Sequence, residues 1–473
     1  MPPIPLVEAW RRAMAGHRRP LQIPGHKNRY ATGEDVLGAD LLAELVRDDI
    51  PLQGGVDDNA FSNRYLEQAE DLWAAAVGSD HVRFLVGGSS QGNIAALSTV
   101  GHPDRPVAVD RTSHRSTQSA LVITGARPAW VRPQLHPEFG LPIGMAPASL
   151  ATVPPDVTAL FVTSPSYVGT ISDIPALADA AHGLGIPLVV DQAWGAHLDF
   201  LPDRGAMAQG ADITVTSVHK ALMGYSQTAV VSMRDGRIAR MHLDRCVDLV
   251  STTSPSGTLM ASIDATRAVM ERDGALALER TVELVRGMRR RLATVPGLVV
   301  LDDGNVDCRV DPFKVTLWLP RTGASGTDIA RDLWRDGHGV ESADRDTLVL
   351  TMTLLDEPEF VESITDVLAR LVDRHRSQPR DGAPAALWSV EPEVVVTPRE
   401  AFFATRRRIA LEDAVGEVSA EQFCPYPPGV PLLAPGERVT QATVEAVAVA
   451  GRVGRVAYCS DPSLQTIEVI EAL

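Results

Sequence analysis

Four cysteines in 473 residues, Cys246, Cys308, Cys424 and Cys459, lie far apart and include no C-x-x-C pair. That scatter fits neither a zinc site nor a disulfide framework and points to a reducing compartment. Long apolar runs are missing too: no stretch of about 18 apolar residues occurs, and MPPIPLVEAWRRAMAG lacks the apolar core of a signal peptide. The chain therefore reads as cytoplasmic. Basic charge is in deficit, with 44 Lys and Arg against 60 Asp and Glu and a net charge of −16 spread along the chain. Such a surface repels phosphate backbones and anionic lipid, which argues against nucleic acid and membrane as partners. Internal repeats are absent, as are a Walker A loop and a good G-x-G-x-x-G dinucleotide loop.

The remainder, 45% hydrophobic and 22% charged, has the balance of a soluble globular enzyme with ample apolar surface to bury. Residues 1–60 read as an arm, with a short helix from Leu6 to Ala15, the turn IPGHKNRY and a second helix around Leu37 to Leu45. Over 61–265, short apolar runs alternate with helical stretches: VRFLVGG, RPVAVD, PAWV, TALFVTS, PLVVDQA, DITVTS and TAVVSM. That alternation predicts an α/β unit with a mainly parallel sheet covered on both faces. A long helix from Ala261 to Arg291 leads into a smaller α/β unit over 266–375, with strands in LVVLD, FKVTLWL and TLVLTMT. The Pro, Ala and Gly rich stretch at 376–390 reads as a linker, and 391–473 as a third small unit.

Two charged residues follow apolar runs in a telling way. PLVV drives a strand into the core and delivers Asp191 at its C-terminal end, where open α/β sheets place ligands. Asp in that position is also an ordinary helix N-cap. The next strand, DITVT, is followed directly by Ser217, His219 and Lys220, and a lysine at a strand end is commonly just solvated. Together they suit pyridoxal 5'-phosphate, which needs a lysine amine for its aldehyde and a carboxylate to keep its pyridine nitrogen protonated. A phosphate cradle should lie at a helix start. FLVGGSSQGNIAAL supplies one, with Gly87, Gly88, Ser89, Ser90 and Gln91 between strand and helix. His114, after VAVD and at another helix start, is a candidate flat group to stack on the cofactor ring, although a lone histidine is as easily a cap.

These motifs resemble the Orn/Lys/Arg decarboxylase group of fold-type-I pyridoxal-phosphate enzymes. The matching stretches are IPGHK (23–27), GGSSQGN (87–93), SHRS (113–116), TSPSYVGTISDI (163–174), DQAWGAH (191–197), SVHK (217–220), TTSPSGTLMASID (252–264) and PYPPGVPLLAPGE (425–437). The last is similar to the C-terminal domain of that family. The resemblance implies Lys220 as Schiff-base lysine, Asp191 as partner of the ring nitrogen and His114 as stacking group. It also implies Ser89, Ser90, Ser217 and His219 around the phosphate, with Trp194 and His197 near the ring. It further implies a homodimer in which Thr252, Thr253, Ser254 and the N-terminal arm reach the partner's site, and His219 or Lys220 as the proton donor to Cα. Glu341 is the candidate partner for a cationic substrate side chain, with a surface strand-edge glutamate as the plain alternative.

The implied reaction is decarboxylation of arginine, lysine or ornithine. Aminotransfer, elimination, oxidative deamination or a catalytically silent relative are the alternatives. Two departures bear on the choice. Many relatives have Glu where this chain has Gln192, and Tyr where it has Gly257, and losing that aromatic ring is expected to enlarge or reshape the substrate pocket. The chain also shows no receiver-like domain ahead of the cofactor unit.

Overall fold

All seven apolar runs of the larger unit form strands of one sheet. In chain order these are His81–Leu85, Val107–Asp110, Pro128–Val131, Leu160–Thr163, Leu188–Asp191, Ile213–Ser217 and Ala229–Met233. Across the sheet the order is first, seventh, sixth, fifth, fourth, second and third. Four of the six pairings are parallel, and the two at the His81–Leu85 edge are antiparallel. The computed structural model describes residues 2–15, 24, 26–27, 39–57, 64–382, 390–426, 430–452 and 456–472. Ile23 and Gly25 of IPGHK, part of the 376–390 stretch, and 427–429 of PYPPGVPLLAPGE fall outside them.

The strands read as continuous apolar runs because helices cover both faces. Strand alternation sends Val189 to one face and Leu188 and Val190 to the other. On the Val189 side lie the helices Gly88–Val100, Arg115–Thr124 and Arg240–Leu249, and on the other lies Ile174–Gly183. Asp191 continues this alternation, so its carboxylate belongs to the face carrying Gly88–Val100. The parallel strands finish at a common edge, at Asp110, Thr163, Asp191 and Ser217. Leu85 is level with Ala229, which is level with Ser217, and this brings the end of the first strand to the same edge.

The helix Gly257–Leu292 has 36 residues, about 54 Å at the usual rise, and joins the two units. Ile263, Met270 and Leu278 pack with the larger unit, whereas Val285, Met288 and Leu292 enter the core of the smaller one. The smaller sheet is antiparallel, in the order Val299–Val300, Lys314–Trp318, Thr347–Thr351 and Ser342–Ala343. Helices Gly326–Arg335 and Pro358–Arg374 supply its cover. The N-terminal helix Pro5–Ala15 docks on the long helix through Asp264, which accepts from Leu6 N at 3.1 Å while paired to the buried Arg267 at 2.7 Å. A carboxylate at a helix N-terminus satisfies orphan N–H groups and favours the dipole.

The C-terminal part pairs Arg406–Ala410 with Thr466–Ile470. It is clamped to the large sheet by Arg111, directly after the strand Val107–Asp110, whose guanidinium meets Glu437 at 2.6 and 2.8 Å. Arg380, in the stretch after the small unit, bonds the carbonyls of Ala324 and Arg345, both at 2.7 Å. Among the described residues no helix is long and apolar enough to cross a membrane.

Candidate active site

A cleft of about 490 Å³ opens at the edge where the parallel strands end. Asp191 and Lys220 both line it. They reach it from adjacent parallel strands, in which Asp191 stands level with Val215, and Lys220 follows Ser217 within the one-turn helix Val218–Ala221. Burial pushes the Asp191 carboxyl above its ordinary range, opposed by the Lys220 ammonium and by a hydrogen bond from Asn93. Burial likewise pulls the Lys220 ammonium down, opposed by Asp191 and Glu341. That direction favours the neutral amine, the nucleophilic form of a lysine.

Asn93 reaches Asp191 because Gly92 lets its helix press close to the sheet. A Cβ at Gly92 would sit 2.5 Å from Val215. Asn93 Nδ2 donates to Asp191 at 2.8 Å and to Ser116 Oγ at 3.0 Å. Ser116 in turn contacts His114 Nδ1 at 2.9 Å, and Ser116 N donates to the same nitrogen at 3.2 Å. A nitrogen that accepts a backbone N–H carries no proton of its own, so the proton of neutral His114 is on Nε2. Burial and the nearby charges of Lys220 and Arg115 pull His114 down to about 4, so it is neutral near pH 7.

His219 lines the cleft with the opposite tautomer. Its Nδ1 lies 2.8 Å from the carbonyl of Thr228, which can only accept, so Nδ1 carries the proton and Nε2 is left to take or return another. Trp194 forms a wall, with Lys220 Nζ 3.9 Å from its ring centroid. Ser89, Ser90, Gly87 and Gly88 also line the cleft, at the start of the helix Gly88–Val100, which has no side-chain cap. Gly88 N already donates to Gln227 O at 2.8 Å, so the first-turn donors open to an anion are the N–H groups of the residues that follow Gly88. Ser217, by contrast, does not line the cleft: it is fully buried, and its Oγ has no hydrogen-bond partner. Glu341 and Ser342 of the smaller unit and Val430 of the C-terminal part complete the rim. Among the described residues no group of three or more His, Cys, Asp or Glu could hold a metal ion.

Not every residue singled out from the sequence lines this cleft. Gln91 turns back to accept from Gly87 N at 2.8 Å and donates to Ser251 Oγ at 2.7 Å. His197 is fully buried away from the cleft. It pairs with Asp311 at 2.9 Å and stacks on Phe313 with 4.1 Å between centroids, because the smaller unit brings both partners over it. Thr252 and Ser254 are exposed, and Thr252 lines a separate cavity with Gln91 and Glu70. Gly257 opens no extra space, since a Cβ there would meet Val56 at 2.5 Å. Gln192 is equally committed, donating to Asp199 at 2.8 Å and accepting from Ala206 N at 2.6 Å.

Sequence reasoning missed several residues of the cleft and its surroundings. Thr112, Thr163, Ser166, Tyr167 and Gln227 all line it. Thr163, Ser166 and Tyr167 fall inside TSPSYVGTISDI, so the motif was visible although their place in the cleft was not. Lys314, whose ammonium lies 3.6 Å from the centroid of Trp194, had no local signal at all.

Comparison with known proteins adds three findings. Residues 4–316 match the family model described as Orn/Lys/Arg decarboxylase, major domain, and residues 383–451 match that of the C-terminal domain. Arginine decarboxylase of Bacillus subtilis (strain 168) is 30% identical over 449 residues, covering 90% of each chain, and that of Halalkalibacterium halodurans is 28% identical over 472 residues, covering 95% of this chain and 94% of its own. The crystal structure of the Francisella novicida lysine decarboxylase LdcF superposes with a TM-score of 0.83 at 18% identity, covering 99% of this chain and 81% of that one, a likeness of fold.

Proposed function

The chain belongs to the Orn/Lys/Arg decarboxylase family, and we propose that it decarboxylates a basic amino acid, arginine first among the candidates, with pyridoxal 5'-phosphate as its cofactor. The observation that carries this reading is a buried carboxyl, Asp191, and a buried lysine, Lys220, lining one cleft together with a helix start that has no side-chain cap. Arginine comes first because the relatives at 30% and 28% identity are arginine decarboxylases.

Lys220 would hold the cofactor by its amine and Asp191 would face the ring nitrogen. Ser89, Ser90 and the first-turn N–H groups would take the phosphate, with His114 and Trp194 beside the ring. When bound, the cofactor supplies an aldehyde for amine exchange and a protonated pyridine that accepts the electron pair left by the departing carboxylate. The protein's own part is electrostatic. Asn93 and the N–H of Ala193, at 3.1 Å, favour the charged form of Asp191 against the cost of its burial. Neutral His114 presents a flat face without adding a cation. His219 Nε2 or Lys220 returns a proton to Cα, so that loss of CO2 is balanced by uptake of one proton. Glu341, exposed at the rim, meets the cationic end of a side chain long enough to reach from the cleft floor to its mouth. The exposed turn Thr252 to Ser254, which does not line its own cleft, would face the cleft of a second copy in a homodimer.

The test is a panel of arginine, lysine and ornithine with the cofactor-loaded enzyme, reading CO2, amine, keto acid and ammonia. The proposal expects CO2 and amine in equal amounts, with arginine the best substrate. Ammonia or keto acid without CO2 would refute decarboxylation. Glu341→Gln should raise KM for the best substrate by about tenfold or more, the scale of a lost charge-assisted hydrogen bond.

A further inference from the structure

We infer that Lys314, on the smaller sheet, is a positioning residue that turns the Glu341 carboxylate toward the cleft through the hydroxyl of Thr351. This rests on the reading of Glu341 as the partner of the substrate's cationic end, and deepens it. Lys314 and Thr351 stand directly opposite each other in an antiparallel pair. Lys314 is 1% exposed, and its Nζ lies 2.7 Å from Thr351 Oγ1. An ammonium has donors only, so Thr351 accepts there and its own proton must point elsewhere. Glu341 Oε2 is within its reach at 3.5 Å. The polarity of the chain is thereby fixed: Lys314 donates to Thr351, and Thr351 donates to Glu341.

The backbone keeps the three residues in register. Glu341 N donates to Val349 O at 3.0 Å, and the next residue, Ser342, stands opposite Val349, two positions before Thr351. At its other end the relay touches the larger unit, where the Lys314 ammonium lies 3.6 Å from the centroid of the same Trp194 ring that Lys220 approaches to 3.9 Å. Room for the lysine stem comes from the motif TSPSYVGTISDI. Gly169 has φ +91, and a Cβ on it would sit 2.7 Å from Lys314 Cβ. A methionine would fill the same space without desolvating a charge, so an ammonium here is explained by what its charge orients. Asp311 and Glu341 face it with negative charge and Lys220 with positive.

The experiment compares Thr351→Val, Lys314→Met and Glu341→Gln as cofactor-loaded enzymes with arginine, and measures the inhibition constant of citrulline, whose urea group is neutral. The relay predicts that Thr351→Val and Lys314→Met each raise KM for arginine about tenfold. They should change kcat and the citrulline inhibition constant little, and leave the cofactor absorbance unchanged. Thr351→Ser, which keeps the hydroxyl, should restore KM, and Lys314→Met added to Glu341→Gln should cause no further loss. If Lys314→Met does not fold, Thr351→Val and Thr351→Ser carry the test. An unchanged KM in Thr351→Val, with Glu341→Gln still defective, would overturn the relay and leave the reading of Glu341 standing. An unchanged KM in Glu341→Gln would overturn that reading and the relay with it.

Discussion

Asn93 Nδ2 lies 2.8 Å from a carboxylate oxygen of Asp191, 98 positions away in the chain. Both side chains are 1% exposed, so the amide stands in for water in favouring the charged form of Asp191. Its second proton goes to Ser116, and Ser116 fixes the ring of His114. Replacing Asn93 by Leu should raise the Asp191 pKa further. A carboxylate that must be ionised to act then loses its charge at a higher pH, so the acid limb of the kcat profile moves upward in pH. Turnover should also fall about ten- to a hundredfold, the value of a hydrogen bond to a buried charge. A pH–rate profile of Asn93→Leu checks this, and an unmoved acid limb would disconnect Asn93 from Asp191.

Lys220→Ala should abolish the covalent attachment of the cofactor while leaving the phosphate cradle intact. Asp191→Ala should retain cofactor binding and fail at turnover. Absorbance spectra and steady-state rates separate the two. Full turnover in Asp191→Ala would contradict the role assigned to its carboxylate.

Arg111 and Glu437 join the large sheet to the C-terminal part across 326 positions, with side chains 5% and 2% exposed. The guanidinium also bonds Leu432 O at 2.8 Å and lies over the Trp130 ring, while Glu437 accepts from Ala434 N at 2.8 Å. Removing one partner leaves an uncompensated buried charge. Glu437→Ala should therefore cost about 3–5 kcal/mol in denaturant unfolding. The double change Arg111→Met with Glu437→Leu should recover much of that loss. Val430, seven positions before Glu437, lines the cleft, so the single variant should also weaken substrate binding.

Asp199 offers a pH test that does not involve the cleft. Burial raises its carboxyl to about 7, opposed by the hydrogen bond from Gln192. An acid raised in the folded state stabilises the fold fully below its unfolded pKa of about 3.9, and that contribution is lost as pH climbs through the folded value. Gln192→Glu would set a second carboxyl against Asp199 in place of a donor. Its melting temperature should match the parent near pH 4 and fall progressively below it toward pH 8. Parallel Tm curves across that range would rule the coupling out.

The sheet was legible because strand alternation and helix cover leave their mark locally: PLVV and DITVT each announce a buried strand and the residue that ends it. Asp191, Lys220, His114 and the Ser89, Ser90 turn then share one cleft because parallel strands end on one side. What escaped the sequence came from elsewhere in the fold. His197 follows Trp194 in one motif, yet its ring is claimed by Asp311, 114 positions on, at a point where the smaller unit packs down. Lys314 looks like any strand lysine until Gly169 and Trp194 close over it. Gly257 promised a wider pocket, but Val56 from a preceding turn fills the space. Periodicity reports which side of a strand is dry, and not which distant segment lies against it.

The most direct measurement is to load the purified protein with pyridoxal 5'-phosphate, reduce with borohydride, digest and locate the adduct by mass spectrometry. Attachment to the peptide carrying Lys220, with loss of the yellow absorbance, is the predicted result. No adduct, or an adduct on Lys314 across the same tryptophan, would contradict the assignment of Lys220 as the cofactor-holding lysine.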